Sequence, residues 1–182
     1  MVKLVAVSGL LGVILAGAAG AAGAAGAAEL RADMRLVTAD GVGSSIGTMT
    51  VSESGQGAVF TPALNGLPPG EHGMHIHAQG KCEPGPNDQG QVVAAGAAGG
   101  HWDPATTKSH AGPTGEGHMG DLPALAVGPD GSASTPVAAP RITDLSQLSG
   151  LALMIHEGGD NYSDQPQPLG GGGARMACGV LE

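Results

Sequence analysis

Aromatic side chains and positive charge are both scarce in this chain. Its 182 residues include one Phe, one Tyr and one Trp, so aromatics make up 2% of the composition. The core must therefore be built from Val, Leu, Ile, Met and Ala. Seven Lys+Arg stand against sixteen Asp+Glu, a formal net charge of −9. That balance argues against nucleic acid and anionic membranes as partners. No long run carries a helical apolar stripe, apart from a possible single turn at Thr143–Leu148. Gly170–Gly173 is not followed by Lys-Ser/Thr, so it is no phosphate loop, and it reads as a flexible tract that lets backbone lie close to something. His156-Glu157 runs into Gly158-Gly159-Asp160, without the second histidine of a zinc-protease helix.

What is present begins with a leader. Lys3 is the only charge before Glu29, the apolar run Leu10 to Leu15 follows, and an Ala/Gly tract ends in small residues at Ala25, Ala27 and Ala28. That order is the layout of a secretory signal peptide. A membrane anchor would need about 20 apolar residues and a charged stop. The reading is a signal peptide over residues 1–28, cut near Ala27 or Ala28, and one mature domain over residues 29–182, located in the periplasm or secreted. Removing 28 of the 182 residues leaves 154, with six Lys+Arg against sixteen Asp+Glu and a formal charge of −10. Cys82 and Cys178 both lie in the exported part, where a disulfide can persist. A bridge between them would add about 4–5 kcal/mol in the chain-entropy model. Two free buried thiols are the alternative.

Short stretches of period-two alternation recur between Gly, Pro, Asn and Asp. They are Asp33–Thr38, Ile46–Ser52, Ala58–Ala63, Met74–Ala78, Leu122–Val127, Ser132–Ala138, Leu151–Glu157 and Arg175–Val180. Asp40-Gly41, Asn65-Gly66 and Asp130-Gly131 are turn dipeptides between them. Regularly spaced short strands with 34 Gly and 13 Pro read as an antiparallel sandwich or barrel. Gly80–Gly120 and Gly158–Gly173 are too long and irregular for hairpin loops, and loops of that length are functional or tied down.

All seven histidines fall between His72 and His156. His75 and His77 are two apart on an expected strand, so they share a face. His72 has the opposite parity and points away unless Gly73 breaks the strand; it is read as a structural, hydrogen-bonded histidine. His101, His110, His118 and Asp121 follow in the first long loop, and His156 closes the set. Imidazole suits copper and zinc, and carboxylate suits the harder ion. Without His72, the imidazoles and Asp121 exceed one tetrahedral ion, so two metals would have to share an imidazole. An H-x-H with further histidines and an aspartate also suggests an amidohydrolase centre, but that chemistry belongs to a barrel of about 250 residues with alternating helices.

The segments His72-Gly73-Met74-His75-Ile76-His77, Gly99–Pro104, His118–Pro123, Met154–Tyr162 and Gly170–Val180 together resemble copper,zinc superoxide dismutases of the bacterial exported type. The resemblance runs from about Leu67 to Val180 and implies an all-β fold, an eight-stranded Greek-key β-barrel or sandwich with two long functional loops. It implies copper at His75, His77, His101 and His156, and zinc at His101, His110, His118 and Asp121. Asp160 corresponds to an aspartate joining a copper-side to a zinc-side histidine, here His75 and His110. Arg175 corresponds to the arginine that guides substrate, and Cys82 with Cys178 to the disulfide. Met74, Trp102 and Ala78 depart from the family's usual residues beside the ligands.

The implied activity is dismutation of the superoxide anion to oxygen and hydrogen peroxide, with His101 as bridge and proton carrier. For an acidic chain, an anionic substrate requires a local positive field, supplied by the metals, Arg175 and in principle Lys81 or Lys108. Two other readings remain open at this point: an exported copper/zinc storage or delivery module, and a zinc-stabilised adhesive β-sandwich. The second would leave His75, His77 and His156 without a purpose. No nucleic-acid or membrane partner is expected, and the chain is a monomer or homodimer.

Overall fold

The computed structural model describes residues 1–3 and 29–182. From residue 4 onward, the leader lies outside the described residues. Three strands open the domain: β1 (Glu29–Thr38), β2 (Gly41–Ser54) and β3 (Gly57–Leu64). They form an antiparallel meander, with Thr38 opposite Gly41 and Ser54 opposite Gly57. Then follow β4 (Gly70–His72), β5 (Met74–His77), the two-residue strands β6 (Gly85–Pro86) and β7 (Val92–Val93), β8 (Leu125–Val127), β9 (Val137–Ala139), β10 (Ala152–His156) and β11 (Arg175–Val180). Helix is confined to three 3-10 turns, at Gly96–Ala98, Leu145–Gln147 and Pro168–Gly171. The second lies inside the single turn expected at Thr143–Leu148, and the Asp144 carboxylate caps it by accepting from Ser146 N.

The main sheet runs β5-β10-β11-β1-β2-β3-β9, and β4 pairs separately with β8. With β4 and β5 taken as one strand interrupted at Gly73, and β6–β7 set aside as a loop hairpin, eight strands remain. The architecture is an all-β Greek-key barrel. Two expected strands are shorter than their alternation suggests. Leu122–Val127 contributes only β8, since Pro123 has no N–H for a ladder. Ser132–Ala138 yields β9 and an isolated bridge between Ala133 and Leu64, with Pro136 just before the strand.

Period-two alternation on β10 builds two cores. Leu153 and Ile155 point into the main core with Met74, Ile76, Phe60, Leu125 and Ala177, while Ala152 and Met154 join a smaller cluster with Val37, Ala95, Ala98 and Cys178. His156 continues the parity of Met154. His75 and His77 stand opposite Met154 and Ala152 in the ladder, so they project to the same outer side. The metal-type histidines of the two strands therefore share one face, outside the barrel core. Cys82 and Cys178 are joined, with Cα atoms 5.6 Å apart, which fastens the start of the first long loop to β11.

Candidate metal centre

β5 is the edge of the sheet, and the first long loop returns to it twice. Trp102 N donates to Ile76 O at 2.7 Å, Ala78 N to Gly100 O at 3.0 Å, and Ile76 N to Gly120 O at 2.9 Å. These bonds covering the edge set His101 opposite His77 and Asp121 opposite His75 as isolated bridges. On the other side of β5, His156 N donates to Gly73 O at 2.9 Å. Backbone pairing thus brings together ligand-type residues as far apart in sequence as His75 and His156.

The side chains form two groups of four, and His75, His110 and Asp160 make a third, smaller one between them. In each group of four, one potential ligand atom from every residue lies within 4.8 Å of the others: His75, His77, His101 and His156, and separately His101, His110, His118 and Asp121. All seven residues are buried. His101 belongs to both groups. Its Nδ1 is 2.9 Å from Asp121 Oδ1, so only the opposite ring nitrogen is left for the all-histidine group. The nearest of the other Nδ1 atoms, on His110 and His118, stand 3.0 and 3.3 Å from the same oxygen.

Ring orientation tests whether a metal fits. His75 Nε2 faces Asp160 Oδ2 at 2.8 Å, His77 Nδ1 faces Gly99 O at 2.8 Å, His110 Nε2 faces Asp160 Oδ1 at 2.8 Å, and His156 Nδ1 faces Gly173 O at 3.2 Å. An acceptor at one nitrogen fixes the proton there and leaves a lone pair on the other. The other nitrogens, His75 Nδ1, His77 Nε2 and His156 Nε2, are buried without a hydrogen-bond partner among the described residues, and His110 Nδ1 faces only Asp121 Oδ1, at 3.0 Å and outside good hydrogen-bond geometry. Buried polar atoms are rarely left so, and inward lone pairs held by outer hydrogen bonds are what a metal requires. The residues fit two ions.

Electrostatics separates the groups. Burial holds His77 well below the ordinary histidine value, and it lowers His101 to about 4, against its bond to Asp121, and His156 to about 3. Burial lowers His75 too, with Asp160 opposing. These rings are neutral, as ligation demands. At His110 burial also disfavours charge, but the Asp121 and Asp160 carboxylates outweigh it and raise the ring to about 9. The carboxylates of Asp121 and Asp160 are held well below their usual range by those imidazoles, despite burial.

Asp160 joins the groups from the second long loop, and it needs Gly170. That glycine has φ +71°, and a Cβ there would collide with Asp160 Oδ1 and with His110 Nε2, 2.8 Å away. The glycine tract therefore does let backbone lie close, against the Asp160–His110 pair. Asp164, which carried no motif, accepts from His110 N at 2.9 Å and from Leu169 N at 3.2 Å. Tyr162 Oη accepts from Ala124 N at 3.0 Å, so the second loop is tied to the first through His110 and to the segment just after it through Tyr162.

Arg175 is re-aimed by a β-bulge. Ile155 pairs with Ala177 but His156 pairs with Arg175, so Met176 is the extra residue. Without the bulge, Arg175 would share the inward face of Ala177; with it, Arg175 lies beside His156 on the outer face. Its Nη1 and Nη2 donate to Ala95 O and Gly99 O, both at 2.6 Å, and Gly99 O also faces His77. Arg175 lines two clefts, one of which includes Asp88, Gly99, Gly100 and Leu169. Burial lowers the guanidinium from its ordinary value, and Asp88 opposes that. Neither cleft has Lys81 or Lys108 in its walls; Lys81 lines a cavity with Arg31 and Arg35 beside the disulfide. His72 belongs to neither metal group. Gly73 does break the strand, and the His72 ring nitrogens lie 2.9 Å from the carbonyl oxygens of His156 and Pro68.

The geometry agrees with what is known of similar chains. The family model of copper/zinc superoxide dismutase (SODC) matches residues 45–181. "Superoxide dismutase [Cu-Zn] 2" of Salmonella typhimurium is 59% identical over 155 residues, covering 85% of this chain and 89% of that protein. The Escherichia coli K12 "Superoxide dismutase [Cu-Zn]" is 56% identical with the same coverage. The Cu/Zn superoxide dismutase structure from Brucella abortus superposes with a TM-score of 0.82 at 48% identity, covering 85% of this chain and all of that one. A solution structure of the monomeric enzyme from Salmonella enterica gives 0.75 at 59% identity, again over 85% of this chain and all of that one. The chain belongs to the copper/zinc superoxide dismutase family.

Proposed function

We propose that this protein dismutates superoxide to oxygen and hydrogen peroxide, using a copper and a zinc that share His101. The observation that carries the reading is the pair of four-residue groups with one imidazole in common. The all-nitrogen group of His75, His77, His101 and His156 is assigned to copper, and the three-histidine, one-carboxylate group of His101, His110, His118 and Asp121 to zinc. Copper bound there supplies one-electron redox chemistry toward superoxide, which zinc cannot.

The chain's own residues do the rest. His101 keeps Nδ1 on the Asp121 side, and its opposite nitrogen, whenever it is not a ligand, would hold a proton there and could pass it to the reduced substrate. Asp160 holds His75 and His110 in the tautomers that leave Nδ1 free. Arg175 lends positive charge at the mouth of the copper group, where a chain of formal charge −9 would otherwise repel an anion. Substrate charge is met by this guanidinium rather than by Lys81 or Lys108.

The test is metal analysis and a superoxide assay on one purified sample. One copper and one zinc per chain with rapid dismutation is expected. Two bound metals without dismutation would favour a storage or delivery module, and zinc alone an adhesive sandwich.

We further propose that residues 1–28 are a removed signal peptide and that residues 29–182 form one exported domain, in the periplasm or secreted. The leader pattern supports this, as does the disulfide, which lasts in oxidising compartments. Among the described residues, no helix is long and apolar enough to cross a membrane. N-terminal mass analysis of the cell-envelope fraction checks the cut; an intact Met1 on a membrane-bound product would overturn it. Sedimentation decides between homodimer and monomer, the state named for the Salmonella enterica structure.

A further inference from the structure

His118 is the least anchored ring of the three-histidine group. His110 is held through Nε2 by Asp160, and through its backbone N–H by Asp164. His101 is held by its bridge to β5. The one hydrogen bond of the His118 ring among the described residues is to Asp121, at 3.3 Å, and its outer nitrogen has no protein acceptor. The position of that ring therefore depends on its backbone.

The His118 backbone is clamped from two sides. Its N–H donates to Ser109 O at 2.8 Å, within the loop. From outside the loop, Arg141 Nη1 donates to His118 O at 3.0 Å and Nη2 to Gly117 O at 2.8 Å. Arg141 directly follows Pro140 at the exit of β9, and its neighbour Ile142 is buried in the main core, with Ile142 O accepting from Ala58 N at 2.8 Å. The fork is thus mounted on the barrel wall. Gly117 permits the close packing, since a Cβ there would meet Ser109 O and Ala111 N. No carboxylate pairs with Arg141 among the described residues. In a chain of seven Lys+Arg, a half-buried guanidinium spent on two consecutive carbonyls is an expense that bulk solubility does not explain.

We infer that Arg141 is a positioning residue for the zinc group: it fixes the Gly117–His118 peptide to the barrel and so aims His118 Nδ1 at the ion. Arginine suits this task because its planar fork delivers two parallel N–H bonds, while lysine offers a point charge. The inference rests on the assignment of His101, His110, His118 and Asp121 to zinc.

Three variants test it: Arg141→Ala, Arg141→Gln and Arg141→Lys, each loaded with copper and zinc and then challenged with a chelator. Zinc release from Arg141→Ala is expected to be roughly 10–100-fold faster than from the native chain, the usual cost of losing a partner behind a ligand. Copper content and the copper absorption band should hold at the native level. Arg141→Lys should fall between. Cobalt placed in the zinc group should show an altered visible spectrum in Arg141→Ala. A role confined to barrel stability would instead lower the melting temperature of the metal-free protein and leave the cobalt spectrum unchanged, which overturns the inference. If Arg141→Ala fails to fold, Arg141→Gln decides: native zinc release and a native cobalt spectrum refute the clamp. A His110→Ala variant that keeps native zinc content would refute the zinc assignment itself, a different result from native zinc release in the Arg141 variants.

Discussion

Asp160→Asn should weaken zinc binding more than copper binding. In the native chain, Asp160 accepts from His75 Nε2 at Oδ2 and from His110 Nε2 at Oδ1, each at 2.8 Å. Tyr162 N donates to Oδ1 as well, at 2.7 Å. An asparagine keeps one acceptor oxygen and presents an NH2 group in place of the other. Whichever way the amide turns, one imidazole N–H faces a donor. That ring must give up its bond or move its proton to Nδ1, the atom that ligates. A hydrogen bond to a charged group contributes about 1.5–3 kcal/mol, and each 1.4 kcal/mol is about tenfold in affinity. Loss of one such bond therefore predicts about 10–100-fold.

The difference between the metals follows from where the ligands sit. His75 lies on β5, paired residue by residue with β10, and keeps its place without Asp160. His110 lies in an irregular loop, where Asp160 and Asp164 are its ties to the second loop. Competition with a chromogenic chelator measures zinc, and titration of the copper absorption band measures copper. A variant that loses copper before zinc, or that binds both like the native chain, would refute the argument.

Three further outcomes are expected. His110→Ala should lose zinc and keep copper, while His101→Ala should disturb both, read by metal analysis after dialysis; copper loss with zinc retained in His110→Ala would reverse the two assignments. Arg175→Glu should keep both metals and lose at least tenfold in kcat/KM, about 1.4 kcal/mol of barrier, and added salt should slow the native enzyme more than the variant. Near neutral pH, zinc loading of the metal-free protein should release about one proton, because His110, at about 9, must become neutral while His101 is already so at about 4. Calorimetry in buffers of differing ionisation enthalpy counts that proton, and the count should vanish above pH 9. The same raised value stabilises the metal-free fold fully below the ordinary histidine value of about 6.5 and is lost as pH rises through about 9.

The strands and the ligand types could be read from the sequence because both follow short-range rules. Alternation put His75 and His77 on one face, and seven metal-type residues were too many for one tetrahedral ion and one short of two complete sets of four. What escaped depends on geometry with no residue code. The bulge at Met176 decides which face Arg175 takes, and nothing in Arg175-Met176-Ala177 announces it. β6 and β7, two residues each, are too short to alternate. Asp164 and Arg141 act on backbone atoms of the ligand loop, so their neighbours in sequence say nothing of their role. One cue existed for Arg141: where cations are so few, each one kept near the core side of a strand invites a search for its acceptor.

The two halves of the centre rest on different kinds of support, and this explains where the polar groups are concentrated. Of the all-histidine group, His75, His77 and His156 stand on β5 and β10, whose ladder is part of the barrel. Of the second group, only His101 and Asp121 touch that ladder, by single bridges at the edge of β5. His110 and His118 have no strand beneath them. A loop without a ladder must be ordered by other bonds, each set against about 1–2 kcal/mol of backbone entropy per residue fixed. Those bonds are found there: Asp160 and Asp164 on His110, Arg141 on His118, and the Asp121 carboxylate, which also accepts from Ala111 N at 3.1 Å. Zinc, which does no redox work, would add a further tie to this segment if bound by His101, His110, His118 and Asp121 as proposed. On this argument zinc removal should loosen the loop and the Nδ1 side of His101, while the three strand-borne imidazoles stay in register.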